Sequence, residues 1–251
     1  MRLTTTLNIV LTTLVALVMA ISAKVSAKEL ADMWVITPEK GQQQAFELAL
    51  KKHVEYRKSK NDPRKWQIFT PAVGDHLNHY VIRACCFEWK EMDSYRDWSI
   101  EAKTGDHWQA NVGDSVAHVS HYLAEVDFEN SHWPEEDPGF RYFEVVSLKP
   151  KQGHGQGIRA DMKAISDAAK AMEWPEYWSW SWGIGGQSEL NLVFPFTDWA
   201  DMEPEKPGFA ERLGKQMKSE DKAMELLERW SKHFQSSEST IYVKSDELSM
   251  D

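Results

Sequence analysis

An internal duplication is the sequence feature that most restricts the fold of this chain. Identical residues recur at one constant spacing of 112 positions, with no gap between Pro38 and Gly74. The matched pairs are Pro38 and Pro150, Gly41 and Gly153, Gln44 and Gln156, Lys51 and Lys163, Lys58 and Lys170, Pro63 and Pro175, Trp66 and Trp178, and Gly74 and Gly186. A repeat of this length holds several secondary-structure elements, so two similar units are expected to pack together.

We predict a first unit over residues 28–128 and a second over residues 140–251, joined by an acidic, proline-containing linker at residues 129–139. Each unit begins with a short run rich in Val and aromatic residues that ends at a Pro-x-x-Gly turn, which is typical of a strand. A helix, two strands joined through a glycine turn, a second helical region and a final strand follow. The predicted order in each unit is therefore βαββαβ, the ferredoxin-like arrangement.

Two βαββαβ units with Trp-rich strands resemble the dimeric α+β-barrel superfamily. The resemblance covers nearly all of the chain after residue 27 and rests on element order and duplication, not on a catalytic motif. It implies an α+β fold in which two sheets pack face to face, with helices outside, as one intramolecular barrel. Because the second unit supplies what a partner subunit would give, we expect a monomer with an internal pseudo-dimer.

The same resemblance bears on cofactors. The superfamily includes cofactor-independent monooxygenases, haem-binding and haem-degrading proteins, and isomerases. Haem is therefore allowed by the resemblance alone, while the residues themselves predict no cofactor. No G-x-S-x-G, H-E-x-x-H or C-x-x-C motif occurs in the sequence, and no metal site is predicted.

The first 27 residues have the pattern of a secretory signal peptide. Arg2 precedes an apolar stretch over residues 7–21, and small residues precede Lys28. Three polar residues interrupt the apolar stretch, which is shorter than the roughly 20 residues needed to span a bilayer. We therefore expect cleavage and a periplasmic or secreted protein that is not attached to a membrane.

The charge balance excludes two classes of partner. The chain has 29 Lys and Arg residues against 39 Asp and Glu residues, a net charge of -10. A protein that binds nucleic acids or anionic membrane surfaces needs a basic surface of its own, so neither is an expected partner. The two cysteines, Cys85 and Cys86, are adjacent and would point to opposite faces of a strand, so we predict that they are not bridged.

The third strand of each predicted unit indicates which side chains face the barrel interior. One face of this strand is apolar in both units and is assigned to the helix side. The other face carries His79 and Arg83 in the first unit and Asn191 in the second. An unpaired buried charge is costly, so Arg83 needs either a ligand or a carboxylate across the barrel. We take Arg83, with His79 and Asn191, as the leading candidate for ligand binding and leave the carboxylate pairing open.

Trp178 and Trp180 form a second candidate site. They alternate with serines on one predicted strand and therefore share a face. Such rings either stack on a ligand or fill the core against a helix whose inner side chains are small. Both interpretations stay open, so these two residues remain candidate ligand contacts.

Three functions are consistent with these features. The first is binding of a small, partly apolar ligand between the two sheets. The second is a cofactor-independent monooxygenase or isomerase that uses a histidine as general base. The third is an interaction module without a pocket. Whether the protein is an enzyme therefore stays open at the level of sequence.

Overall fold

Eight strands close into one barrel with helices packed on its outer face. The computed structural model describes residues 29–186 and 189–250. The strands are β1 (Glu29–Pro38), β2 (Trp66–Val73), β3 (Tyr80–Phe87), β4 (Val116–His132), β5 (Tyr142–Pro150), β6 (Trp178–Ile184), β7 (Leu190–Phe196) and β8 (Phe234–Lys244). The α-helices are α1 (Gln43–Ser59), α2 (Met92–Glu101), α3 (Thr104–Asn111), α4 (Gly155–Ala171), α5 (Phe209–Gln216) and α6 (Glu220–Lys232).

The order of strands around the barrel is β1-β3-β2-β8-β5-β7-β6-β4, and every neighbouring pair is antiparallel. Each half of the chain supplies four adjacent strands. The two sets join where β2 pairs with β8 and where β4 pairs with β6. The predicted α+β class and eight-stranded barrel are confirmed, while the origin of the two halves as tandem repeats stays a prediction.

The helix-facing sides of the strands form two separate hydrophobic cores. The buried residues of the first core, between α1 and the strands of the first half, include Phe46, Leu50, Ile68, Tyr80 and Ile82. The buried residues of the second, between α4 and the strands of the second half, include Ile158, Met162, Trp178, Trp180 and Leu190. At about 25 cal/mol per Å² of apolar area, these two cores are the main source of the stability that holds the barrel closed.

Helix α6 shows how local sequence fixes an element that positions a site described below. Ser219 caps its first turn, with the side-chain oxygen accepting a hydrogen bond from the backbone N–H of Lys222. Acidic residues occupy the first turn and basic residues the last, which complements the helix dipole. The helix ends at Lys232, and His233 follows as its C-cap and leads directly into β8.

Strand β4 extends further than the sequence predicts. It continues to His132, so the first four residues of the predicted linker at 129–139 belong to the sheet. Two hydrogen bonds that involve side chains hold the end of β4 against β6 where the backbone pairing is irregular. The Trp178 Nε1–H donates to the backbone oxygen of Asn130, and the backbone N–H of Trp180 donates to Ser131 Oγ.

The prediction that the two cysteines are not bridged is wrong in this structure. Cys85 and Cys86 form a disulfide between adjacent residues, joined by a cis peptide bond that brings their Cα atoms to 3.0 Å. The ladder shows how both sulfurs reach one side. Cys85 is paired with Ala31 and Phe87 with Leu30, so Cys86 is an extra residue at a bulge and does not continue the strand alternation.

The predicted signal peptide lies outside the described residues and stays a prediction, which N-terminal sequencing of the exported protein would test. Within residues 29–186 and 189–250, no helix has the length and apolar character needed to cross a membrane.

Candidate functional site

The ladder registers place the predicted inner face of β3 inside the barrel. Arg83 is opposite Met33 of β1 and Gln67 of β2, and these residues lie on the face away from the helices. Asn191 of β7 is opposite Ser147 of β5 and Ser181 of β6. Strands β3 and β7 are four places apart in the ring of eight, so Arg83 and Asn191 extend from opposite walls.

The inner face of the barrel is less buried than the side that faces the helices. Along β3, Tyr80, Ile82 and Ala84 on the helix side are buried, whereas Val81 and Arg83 on the inner side keep accessible surface. The first residues of β6 alternate in the same way, with buried tryptophans outside and half-buried serines inside. The inner side chains are therefore less completely covered than those that pack against the helices.

Arg83 faces the barrel interior from the middle of β3. Its Nη1–H donates to Gln67 Oε1 at 3.3 Å, and no described carboxylate pairs with it. Burial lowers the pKa of Arg83 to about 10, so the guanidinium remains protonated at neutral pH. The alternative that Arg83 pairs with a carboxylate across the barrel therefore finds no partner among the residues that the structure describes.

His79 lies on the inner face of the chain at the start of β3 and contacts Tyr242 of β8. Its Nδ1 is 2.7 Å from the backbone oxygen of His76, which can only accept, so Nδ1 carries the proton in the neutral ring. Its Nε2 is 3.1 Å from the Tyr242 hydroxyl and accepts the phenolic hydrogen. The histidine is thus held in one tautomer beside a phenol.

Two tyrosines and two glutamates are further polar groups on the inner face. Burial, with a smaller contribution from Glu189, raises the pKa of Tyr122 to about 12. Burial, followed by Tyr122 and Glu238, raises the pKa of Tyr242 to about 12. Burial and then Glu238 raise the pKa of Glu189. The charge of Lys149 opposes the effect of Glu238 on Glu189, so this part of the inner face carries charges of both signs.

Trp178 and Trp180 lie on the other face of the sheet from Arg83, and this position favours the core interpretation of the pair over the ligand interpretation. They lie on the helix side and are only 4% and 3% exposed. The Trp180 Nε1–H donates to Ser166 Oγ of α4 at 3.1 Å. The bulky rings fill the space left by small side chains on α4, so packing explains their position without a ligand.

Two polar networks were not found from the sequence. In the first, buried Asp32 of β1 binds Arg64 through one carboxylate oxygen and His121 Nε2 through the other, the latter at 2.7 Å. His121 stacks on Trp34 with ring centroids 3.9 Å apart and is partly exposed. Because a carboxylate only accepts hydrogen bonds, the His121 Nε2 carries a proton and its Nδ1 faces away from Asp32.

The second network joins α4 to the end of α6. Asp161 accepts hydrogen bonds from Arg229 and from His233 Nε2, the latter at 3.0 Å. Nδ1 of His233 lies 3.0 Å from Nδ1 of His154. Burial would raise the pKa of Asp161, but its bonds to Arg229 and His233 outweigh burial and lower it. A β-carbon at Gly157 would lie 2.6 Å from the His233 ring, so the ring seats against α4 only because this position is glycine.

The helix side of β6 does not provide a haem pocket. Haem needs a flat apolar slot with an axial ligand at its iron. Trp174, Trp178 and Trp180 fill this side, and nearby His233 is already bonded to Asp161 and His154. The residues present there therefore do not fit haem.

No family model and no curated protein matches the sequence. A protein from Lactobacillus acidophilus NCFM, provisionally described as a monooxygenase, has the same fold, with a TM-score of 0.53 and 10% identity over 86% of this chain and 94% of its own. An anthrone oxidase-like protein matches with a TM-score of 0.52 and 10% identity over 88% and 92% of the two chains. A variant chlorite dismutase from Candidatus Nitrospira defluvii matches with a TM-score of 0.53 and 8% identity over 88% and 92%. At such identities the likeness shows the dimeric α+β-barrel fold and leaves the chemistry open.

Proposed function

We propose that this protein binds a small, partly apolar anion inside the barrel, between its two sets of strands. The observation that carries the proposal is Arg83, a half-buried cation with a single neutral hydrogen-bond partner, Gln67, and no carboxylate partner among the described residues. An unpaired charge in such a place weakens the folded state. A bound carboxylate would offset that cost with two parallel charge-assisted hydrogen bonds.

The walls around Arg83 suit a ligand with an apolar body. The cluster beside it consists of Ala31, Met33, Cys85, Ala124 and Val126. The opposite wall is more polar, with the Ser147 hydroxyl donating to Asn191 Oδ1 at 2.8 Å. A ligand whose anion meets Arg83 could therefore place apolar atoms on the first wall and a hydrogen-bonding group on the second. This mixture of apolar surface and a few polar groups is typical of small-molecule sites.

Replacing Arg83 with Met is expected to weaken anion binding by about 10- to 100-fold, since a hydrogen bond to a charged group contributes about 1.5 to 3 kcal/mol. The probes are octanoate and benzoate, each titrated into the purified chain by isothermal calorimetry. Met keeps the length and apolar stem of the side chain, and Arg83 anchors no ion pair, so the variant is expected to fold.

Arg96→Met is the matched control, because Arg96 is exposed on α2. The control should bind both probes like the unmodified protein. Equal affinity in the unmodified and Arg83→Met proteins, or no binding of either anion to the unmodified protein, would contradict the proposal.

A second candidate function is an enzyme in which His79 acts as a general base within the same space. The observation in its favour is the fixed tautomer of His79, whose Nδ1–H is bound to a backbone oxygen and whose Nε2 lone pair is directed at Tyr242. If a substrate displaced the phenol, this lone pair could accept a proton from an acidic C–H group. Likeness in fold to proteins described as monooxygenases or oxidases is consistent with this candidate.

Oxygen uptake with anthrone as the probe tests the enzyme candidate. The expected result is uptake that falls by about 100-fold or more in His79→Gln, given the usual contribution of a general base. His118→Gln is the control, since His118 is exposed and bonds only Ser120 among described residues. No uptake by the unmodified protein, or equal uptake in His79→Gln, would leave binding as the function.

A further inference from the structure

We propose that a cleft at one end of the barrel, in the second half of the chain, binds a small organic amine, with Glu176 pairing with its ammonium group. This site is separate from the function proposed above, since Arg83 is not among the residues that line the cleft. It gives a role to the proline-containing linker before β5, which the barrel interior does not explain.

The cleft is large enough for a small molecule. Its volume is about 580 Å³, within the range of small-molecule sites. The end of the linker, the segment before β6, the end of β7 and the loop after β7 form its walls. Four prolines belong to these walls: Pro138, Pro175, Pro195 and Pro204. Because the proline ring fixes φ, such walls are largely rigid before a ligand arrives and lose little freedom when it binds.

Two aromatic rings give the cleft an apolar surface. Asp137 Oδ1 accepts the backbone N–H groups of Gly139 at 2.9 Å and Phe140 at 3.0 Å, and this turn places the Phe140 ring. Phe140 is buried and meets half-buried Tyr177 edge to face, with ring centroids 5.9 Å apart. Both residues line the cleft. Rings and prolines suit an alkyl chain, and the face of a tyrosine ring also attracts an ammonium group.

The charged groups of the lining are mostly acidic. One ammonium group, that of exposed Lys206, lines the cleft with four carboxylates, which are Glu176, Asp201, Glu203 and Glu205. Two of these acids have polar partners already. Asp201 accepts hydrogen bonds from the hydroxyl and the backbone N–H of Thr197, and Glu205 pairs with Arg212 of α5 at 3.0 Å.

The other two acids lack a counter-ion. Within the part of the chain that the structure describes, neither Glu176 nor Glu203 forms an ion pair, and neither does Lys206. The lining therefore keeps two uncompensated carboxylates against one uncompensated ammonium group, so a cation fits the cleft better than an anion.

Glu176 is the acid best placed to hold that cation. It is half-buried, and its Oε2 accepts the Trp174 Nε1–H at 3.2 Å, while its Oε1 accepts no hydrogen bond from any described residue. Burial raises the pKa of Glu176, the hydrogen bond from Trp174 opposes this effect, and the charges of Glu205 and Glu144 add to it. An ammonium group donating to Oε1 would form a charge-assisted hydrogen bond and offset the repulsion from the other acids.

The test titrates hexylamine into the purified chain by isothermal calorimetry at pH 8, where the amine is protonated. The neutral probe 1-hexanol has the same chain and should bind at least about 10-fold more weakly. Glu176→Gln should weaken hexylamine binding by about 10- to 100-fold, the usual effect of losing a hydrogen bond to a charged group. The variant is expected to fold, because the Gln carbonyl oxygen can still accept the Trp174 hydrogen bond.

Tyr177→Leu is the second variant, and it keeps the test decisive if Glu176→Gln folds poorly. It should weaken hexylamine binding by about 3- to 10-fold through loss of the ring face. Glu101→Gln, at an exposed site on α2, removes one negative charge away from the cleft and should leave the affinity unchanged.

Three results would overturn the proposal: no binding of hexylamine, equal binding of 1-hexanol, or an affinity for hexylamine that neither cleft variant changes. The amide of Nα-acetyl-lysine carries the same ammonium group on a peptide backbone. If it bound more tightly than hexylamine, the cleft would be a site for a protein lysine and the assignment to a small amine would be wrong.

Discussion

Asp32→Asn is expected to lower the free energy of unfolding by about 3 to 5 kcal/mol, the usual cost of removing one partner from a buried ion pair. The side chains of Asp32 and Arg64 are each only 7% exposed. Burial lowers the pKa of Arg64, and Asp32 is the first charge that opposes this effect. Without the carboxylate, the guanidinium remains buried between the rings of Phe87 and Tyr95 with its main counter-ion removed.

Urea unfolding followed by circular dichroism measures this loss. With a slope of about 2 to 3 kcal/mol per M, the midpoint should fall by about 1 to 2 M. Asp93→Asn, at an exposed position in the first turn of α2, is the control and should change stability by less than about 0.5 kcal/mol.

The double variant Arg64→Met with Asp32→Leu distinguishes the destabilisation caused by an unpaired buried charge from the net stabilisation that the ion pair provides. Because both charges are then absent, the double variant should be more stable than Asp32→Asn alone. If the free energy of unfolding of Asp32→Asn alone lies within 1 kcal/mol of that of the unmodified protein, the result contradicts this prediction and shows that water or another acid already reaches Arg64.

The inner face of the barrel was predictable from sequence because strand side chains alternate with a period of two. Once one face of the third strand was assigned to the helices, Arg83 and Asn191 had to face the interior, and the ladder registers place them there. Local alternation carries this information without any knowledge of the tertiary structure. The same rule puts Trp178 and Trp180 on one face together but does not say which face meets the helix. The packing of Trp180 against Ser166 decides that point.

The polar networks could not be predicted in the same way, because their members are far apart in the chain. Asp32 meets Arg64 across 32 residues and His121 across 89 residues. The His121 contact exists because β1 pairs with β4, which places Trp34 opposite His121. The Arg64 contact exists because β3 lies between β1 and β2, and Arg64 directly precedes β2. No local pattern records these pairings. A lone Asp on a strand and a lone His on another give no signal until the sheet is assembled.

The cysteine prediction failed for a different reason. It assumed that the strand alternation continues through Cys85 and Cys86, which would point the two sulfurs apart. The bulge at Cys86 interrupts the alternation, and the cis peptide bond brings the two Cα atoms within 3.0 Å. Periodicity arguments hold only where the ladder is regular, and the extension of β4 beyond its predicted end shows the same limit.

Trp180→Ala is expected to destabilise the fold by about 3 to 5 kcal/mol, the range for truncating a large aromatic residue in a packed core. Trp180 is 3% exposed, contacts Trp230 edge to face at 5.5 Å and donates to buried Ser166. Truncation leaves a cavity between α4 and β6 and leaves the Ser166 hydroxyl without this donor. Trp180→Phe, which keeps most of the ring volume, should lose less stability.

Trp180→Ala also distinguishes the two interpretations of the tryptophan pair, because stability and ligand affinity change differently in each. If Trp180 is core, Trp180→Ala loses stability in urea unfolding, while its remaining folded fraction binds octanoate with the affinity of the unmodified protein. If Trp180 were a stacking surface for the ligand, stability would change by less than 1 kcal/mol and octanoate affinity would fall. Trp199→Ala is the control, since Trp199 is 48% exposed and should contribute little to stability. Because the ring of Trp180 points toward α4 and Arg83 points into the barrel, we expect the first outcome, with ligand recognition and core packing on opposite faces of one sheet.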